Sequence, residues 1–349
     1  MLPCSLRLPS VVALTIVGMD EAGFGPMIGP LTVGMAAFRV HDWSPDSPAP
    51  DFWSLLASAV TRSPADARKI PIEDSKRLKL PNDSKRHPLT HLLRGVLSTL
   101  SATGLSPTSD ADLLSALGCA IEPHPWYEGE PVALPIDLDR LKIDANLMAR
   151  AMADAGVELL ELSVFVVGET RFNQVVRDEG SKARATALGL SNHMSAAWSR
   201  WGGVTTPGHE TRVILDRQGG RTDYANYLAN LIPQSHASML NVNVDHESPQ
   251  RARYTLRGTT PDSEARALVA LVQPEAESSY LPVALASMAA KVVRELLMAR
   301  MNRYWIARAS LAGLSVKPTA GYVQDARRWL DDLKSVIPAR DRKKMVRRA

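Results

Sequence analysis

Apolar and polar positions alternate with several different periods along the chain. Val11 to Met19 is a near-continuous apolar run rich in Val, Leu and Ile, the pattern of a buried strand. Leu31 to Val40 reads as a second strand. The short connection through Pro26 and Pro30 predicts an antiparallel hairpin rather than a helix. Val157–Val167, Thr211–Asp216 and Ala265–Val272 give three more strands, and 236–258 a pair of short ones. Helical spacing appears at 86–101, where His91, Leu92, Leu93, Val96, Leu97 and Leu100 share a face. It recurs at 181–201, at 222–232, from Pro282 to about Arg308, and at 323–335. Residues 41–68 are rich in Pro, Ser and Asp and read as a surface insertion with a short helix near 52–62. Ile72 to Leu78 reads as a polar loop. Residues 105–150 read as irregular, with a helix starting near Asp144. No internal repeat or low-complexity tract interrupts the pattern.

Composition changes this picture little. Of 349 residues, 45% are hydrophobic and 22% charged, which is ordinary for a globular chain with a large core. A net charge of +4 and a pI near 9.1 permit a polyanionic partner without requiring one. Two cysteines, Cys4 and Cys119, make no disulfide framework, and no Cys/His group has zinc spacing. His87 and His91 stand at i, i+4 without a third ligand nearby. No apolar run is long enough to span a membrane. Arg7 and the first apolar run mimic a signal peptide, but the run leads into Asp20-Glu21 without a cleavage site, so a cytoplasmic protein is expected.

The chemistry lies at the strand ends. The first strand closes on two adjacent carboxylates, Asp20-Glu21, followed by Gly23-Phe24-Gly25-Pro26. Neighbouring acids at the mouth of a buried strand repel each other, and a divalent cation offsets that cost best. The glycine loop lets backbone N–H groups approach a ligand. Gly23, Gly25 and Gly29 also imitate a dinucleotide-binding fingerprint, but Pro26 and Pro30 interrupt the helix that it needs. A second strand ends in Asp216, and Glu275 and Glu277 follow a third. Asp20, Glu21, Asp216 and one of Glu275 or Glu277 can therefore converge into a four-carboxylate cluster at the strand ends of an α/β sheet. Two Mg²⁺ or Mn²⁺ ions would neutralise such a cluster, activate a water and stabilise the leaving oxygen of a phosphodiester. The bland alternatives are a helix N-cap for Asp216 and an exposed surface acid for Glu277.

At these residues the chain resembles the type 2 ribonucleases H (ribonuclease HII). Asp20-Glu21-Ala22-Gly23-Phe24-Gly25-Pro26, with Gly29-Pro30, is similar to that family's Asp-Glu-Ala-Gly-Arg-Gly-Pro signature. Asp74-Ser75-Lys76-Arg77-Leu78 resembles its Asp-Ser-Lys-Lys-Leu loop, and Ile214-Leu215-Asp216 the strand that delivers its third acid. Ala286-Ser287-Met288-Ala289-Ala290-Lys291-Val292, with Arg294, resembles its Ala-Ser-Ile-x-Ala-Lys-Val helix, and Gly321-Tyr322 its late Gly-Tyr. The resemblance implies an α/β RNase H-like fold, a mixed central sheet flanked by helices with a C-terminal helical region and inserted loops. It implies one domain over 8–336, with insertions near 41–68, 105–150 and 219–262, and a basic tail at 337–349. The implied activity is hydrolysis of RNA in RNA–DNA hybrids and of ribonucleotides embedded in DNA, leaving 5′-phosphates, by a monomer that binds nucleic acid and no membrane. Asp20, Glu21, Asp216 and Glu277 would bind two Mg²⁺ or Mn²⁺ ions, Glu277 being chosen over Glu275 by its distance before the Ala-Ser…Lys helix. Gly23, Phe24, Gly25 and Tyr322 would face the ribose, and Ser75, Lys76 and Lys291 the phosphates. Two departures stand out: the family's Arg between the glycines is Phe24, and its fourth acid, an Asp, is Glu277. They keep two other readings open, a nuclease of this fold acting on structured nucleic acid and an inactive nucleic-acid-binding module.

Overall fold

The computed structural model describes residues 12–44, 47–203, 209–218, 221 and 223–348. Cys4, Arg7 and Val11, and Gly219 and Gly220, lie outside the described residues. In chain order the elements are β1 (Val12–Ala22), β2 (Leu31–Trp43), α1 (Phe52–Leu55), β3 (Val60–Thr61), β4 (Ile70–Pro71), α2 (Ser75–Leu78) and α3 (Thr90–Ser101). Then follow α4 (Asp110–Ala116), α5 (Leu138–Asp154), β5 (Val157–Val167), α6 (Glu169–Glu179), α7 (Lys182–Trp201), β6 (His209–Asp216) and α8 (Ala225–Leu231). The last are β7 (Ser238–Glu247), β8 (Ala252–Thr259), β9 (Ala265–Gln273), α9 (Ala276–Ser279), α10 (Leu281–Leu311), α11 (Val323–Asp332) and α12 (Ala339–Met345).

The main sheet has seven strands in the order β5-β2-β1-β6-β9-β8-β7. β1, β6 and β9 run parallel at its centre, and every other pairing is antiparallel. This is the α/β class expected from the sequence. Helices cover both faces because the strand residues alternate sides. Leu14 and Ile16 of β1 and Ile214 of β6 pack with α3, α5 and α10 on one face. Val17 and Met19, with Val213 and Leu215, pack with α7 and α8 on the other. The central helix α10 lies unusually close to the sheet. A Cβ on Gly18 would stand 2.3 Å from the Val283 nitrogen, and one on Gly34 2.1 Å from the Ala286 oxygen. Two strand residues without side chains thus let the helix backbone rest against β1 and β2, next to Asp20.

Several segments differ from the sequence reading. The helix expected near 52–62 is a single turn, α1, capped by Asp51, and Phe52, Trp53, Leu56 and Val60 join the main core. Residues 72–78 are not a plain loop, since Asp74 caps the short helix α2 and Ser75 and Leu78 are buried. Within 105–150 there are two helices, and α5 begins at Leu138, where Asp137 accepts from the Asp139 and Arg140 N–H groups. Helix α6 had no counterpart in the pattern. Its apolar residues are few, with only Phe172 and Val175 among its buried ones apart from Glu169. The pair of strands read at 236–258 is present as β7 and β8, and these extend the central sheet. Residues 339–345, in the stretch read as a basic tail, form α12, and Val346 makes an antiparallel bridge with Ile28. Among the described residues no helix is long and apolar enough to cross a membrane.

Candidate active site

Parallel pairing brings the ends of β1, β6 and β9 to one edge of the sheet. Met19 is level with Leu215, and Asp216 with Gln273. Asp20, Asp216 and the turn carrying Glu277 therefore meet at the carboxyl ends of three adjacent strands, the position where α/β sheets present ligands. Asp20 and Glu21 are still within β1, opposite Gly34 and Val33. Strand alternation separates them: Asp20 takes a hydrogen bond from Ser287 on α10, whereas Glu21 lines a cleft beside α7.

The four carboxylates perturb one another. Burial holds the Asp20 carboxyl well above the usual range, with Glu21 and Glu277 adding to the rise and the Ser287 hydrogen bond opposing it. Burial, and then the Asp216 charge, push Glu21 up to about 7, while Lys76 opposes them. Asp216 is raised by burial against hydrogen bonds from backbone N–H groups, one of them from Ala276 at 3.1 Å. Glu277 is raised by burial and by Asp216 and Asp74, with Lys76 again opposing, and its Oε2 is buried without a partner. The donor set is all oxygen, crowded and under-compensated, which suits a hard divalent cation. Among the described residues, the trio whose ligand atoms all lie within 4.8 Å of one another is a different one, Glu122, His124 and Glu169. Glu122 there accepts from the Thr170 and Arg171 N–H groups at 3.2 and 2.8 Å, and so supplies the cap that Gly168 cannot give to α6. His124 Nε2 lies 3.0 Å from Glu122 Oε2, and the Tyr127 hydroxyl donates to Glu169 at 2.6 Å. The Thr170 and Arg171 N–H groups and the Tyr127 hydroxyl thus already engage three of the four carboxylate oxygens, although Glu169 Oε2 has no partner.

The other expected residues divide into those at the cleft and those elsewhere. Phe24 is 44% exposed and lines the cleft with Glu21, Thr186, Asp216, Arg217 and Arg221; its volume is about 580 Å³. Gly25 has open space around it, and Tyr322 is 51% exposed at the start of α11. Lys76 acts electrostatically on Glu21, Asp216 and Glu277. Ser75 departs from expectation: it is buried, and its Oγ lies 3.0 Å from Ser287 Oγ, behind Asp20 rather than facing a phosphate. Lys291 departs too. Its Nζ pairs with Glu295 one turn along α10 at 3.1 Å, and Lys79 takes the same oxygen at 3.3 Å.

Two arginines hold the glycine loop from behind. At Gly23, φ is +93°, and a Cβ would lie 2.6 Å from Cδ of Arg294. Arg294 Nη2 donates to the Ala320 carbonyl at 3.1 Å, next to Gly321. Arg347 is only 5% exposed. Its Nε donates to the Pro26 carbonyl at 3.0 Å and its Nη2 to those of Gly23 at 2.7 Å and Phe24 at 3.3 Å, as well as to Pro26. Its guanidinium lies over the Phe172 ring at 4.4 Å. Composition alone does not separate Arg347 from its basic neighbours. The one usable signal was the apolar Met345-Val346 pair in an otherwise charged stretch.

No family model matches the sequence, and no curated protein matches it. Among solved structures, the chain is similar to one in the PCNA:RNase HII complex from Archaeoglobus fulgidus, with 14% identity over 95% of this chain and 93% of that one and a TM-score of 0.38. It is similar to ribonuclease H2 from Pyrococcus horikoshii OT3, with 13% identity over 96% and 92% and a TM-score of 0.38. It is also similar to Bst-RNase HIII in complex with Mn²⁺, with 15% identity over 97% and 66% and a TM-score of 0.36.

Proposed function

We propose that this chain is a metal-dependent endonuclease of the ribonuclease HII type, which hydrolyses RNA in RNA–DNA hybrids or ribonucleotides embedded in duplex DNA. One observation carries the reading. Four acids picked out by motif lie around the ends of neighbouring strands, and each has its pKa raised by burial together with the charge of another carboxylate or, for Asp216, by burial alone among the dominant causes. Asp20, Glu21, Asp216 and Glu277 would hold Mg²⁺ or Mn²⁺, which when bound supplies an activated water and charge stabilisation at the leaving oxygen. Ser287, backed by Ser75, fixes Asp20. Lys76 offsets part of the negative charge that would otherwise repel a phosphodiester. Phe24, between Gly23 and Gly25, lines the cleft, and Tyr322 offers an exposed aromatic face for a sugar.

The test compares a duplex carrying one ribonucleotide with an all-DNA duplex of the same sequence, in Mg²⁺ and in Mn²⁺. Cleavage confined to the first, and lost in Asp20→Asn, is the expected result. Phe24 in the cleft gives a specific reason for a second reading, a nuclease of altered substrate, which equal cutting of both duplexes would favour. Binding without cutting in either metal would favour an inactive nucleic-acid-binding module.

A further inference from the structure

The cleft that Phe24 lines also carries cations that nothing so far explains. Arg217 and Arg221 both line the cleft, and neither has a carboxylate within ion-pair distance among the described residues. Both are held in place by aromatic rings. The Arg221 guanidinium carbon lies 3.8 Å from the Tyr227 ring centre, and that of Arg217 lies 5.6 Å from Tyr224. Arg217 Nη2 also donates to the Ser248 carbonyl at 2.8 Å. Yet the Nε of each arginine is buried with no hydrogen-bond partner. So is the Oγ1 of Thr186, a residue only 1% exposed in the same lining. Gln218 Oε1 in the same lining is a buried acceptor without a partner, but it is one acceptor against three open donors, and buried donors are normally satisfied, so the cleft has donor capacity left for a ligand. The first turn of α7 adds Ala183 to this lining, bringing the positive end of a 20-residue helix.

The geometry points to a phosphate-binding subsite formed by Arg217, Arg221 and Thr186, which takes a backbone phosphate of the nucleic acid strand beside the bond to be cut. Guanidinium groups suit this ligand because their forked donors match phosphate oxygens. The subsite supplies positive contacts in a cleft to which Phe24, on the glycine loop, brings none. The inference rests on the nuclease reading above.

The test is the salt dependence of binding to a fluorescent duplex with one embedded ribonucleotide, followed by anisotropy in Ca²⁺. In the double variant Arg217→Gln/Arg221→Gln, the slope of log K against log salt falls by about 1, and affinity near 0.1 M salt falls about tenfold. Arg217→Lys/Arg221→Lys keeps the slope, because the charge remains. Arg150→Gln, an exposed arginine on α5, leaves the slope alone. Melting temperatures, measured in parallel, show each variant folded, with a small drop in the double Gln variant, where the Ser248 carbonyl loses its donor. A wild-type slope and affinity in the double Gln variant would overturn the subsite, as would an equal loss in Arg150→Gln. The two levels of failure are distinct. If the subsite alone is wrong, cleavage by the wild-type chain persists and the slope does not move. If the nuclease reading is wrong, the wild-type chain cuts no ribonucleotide-containing duplex in Mn²⁺, and the subsite falls with it.

Discussion

Replacing Arg347 by Ala separates local from global stability. Two effects oppose in the folded protein. Burial, with Arg294 close by, pushes the Arg347 guanidinium down to about 10, which corresponds to about 3 kcal/mol against its charged form. Against this stand its hydrogen bonds to the Gly23 and Pro26 carbonyls. Leaving those carbonyls without a donor costs about 1–3 kcal/mol each, and the guanidinium over the Phe172 ring adds about 1 kcal/mol. Global stability therefore falls only about 2 kcal/mol. The loop itself loses more, because opening it alone does not restore the guanidinium to water. Two bonds from a charged donor are worth about 3 kcal/mol or more, which makes loop opening about 100-fold easier. The amides of Met27 and Ile28, which donate to the Gly321 carbonyl at 2.8 and 3.2 Å, report this opening. Hydrogen exchange at those amides should accelerate about 100-fold, while the urea midpoint shifts modestly. Unchanged protection at 27 and 28 would refute the argument that Arg347 holds the loop.

Asp216→Asn and Glu277→Gln should each lower Mg²⁺-dependent cleavage by about 10³-fold or more, yet leave the metal-free protein as stable as before or about 1 kcal/mol more so, since each removes a charge from a repelling cluster. Rates with both duplexes and urea unfolding in EDTA check this, and a marked loss of stability would count against repulsion. The metal-free protein should also lose stability as pH rises. Glu21 is held near 7 when folded against an ordinary 4.5, so between those values the folded state binds more protons than the unfolded one, and Asp20 acts in the same direction. Unfolding at pH 5 and pH 8 in EDTA tests the sign, and Mn²⁺ should flatten the profile. Finally, Gly34→Ala should cost about 3 kcal/mol by forcing β2 off α10, whereas Gly25→Ala, with nothing within 4 Å of its added Cβ, should change the melting temperature little.

The central strands β1 and β6 were legible because they are buried on both faces, and burial of that kind writes itself as continuous Val, Ile and Leu runs. The acids were legible because they end those runs. The rest was hidden where a partner far along the chain decides. Ser75 sits in a phosphate-like motif, but its hydroxyl meets Ser287, 212 residues away. Lys291 lies on an apolar helix, as expected of a lysine with a special partner, but that partner is Glu295 on the same helix. Helix α6 shows little apolar periodicity and takes its cap from Glu122, which lies outside its own segment, so no local start signal marks it. Arg347 stands in a run of exposed basic residues, and composition cannot tell one buried guanidinium from its solvated neighbours.

Net charge is a poor guide to this site, because the cations near it do different work. Arg294 and Arg347 direct their donors at backbone carbonyls and set the shape of the glycine loop from behind. They are buried, so they stiffen the loop without presenting charge to a substrate. Lys76 lies in front and moderates three of the four acids. Arg217 and Arg221 are braced by Tyr224 and Tyr227 and still have donor capacity left. The cleft is therefore lined by one apolar residue of the loop, Phe24, and by two arginines, beside the acids Glu21 and Asp216. A strand in the cleft would be gripped through its phosphates by the arginines and tested for shape by Phe24. Phe24 brings no charge to this cleft, so the positive contacts to such a strand would come from Arg217 and Arg221.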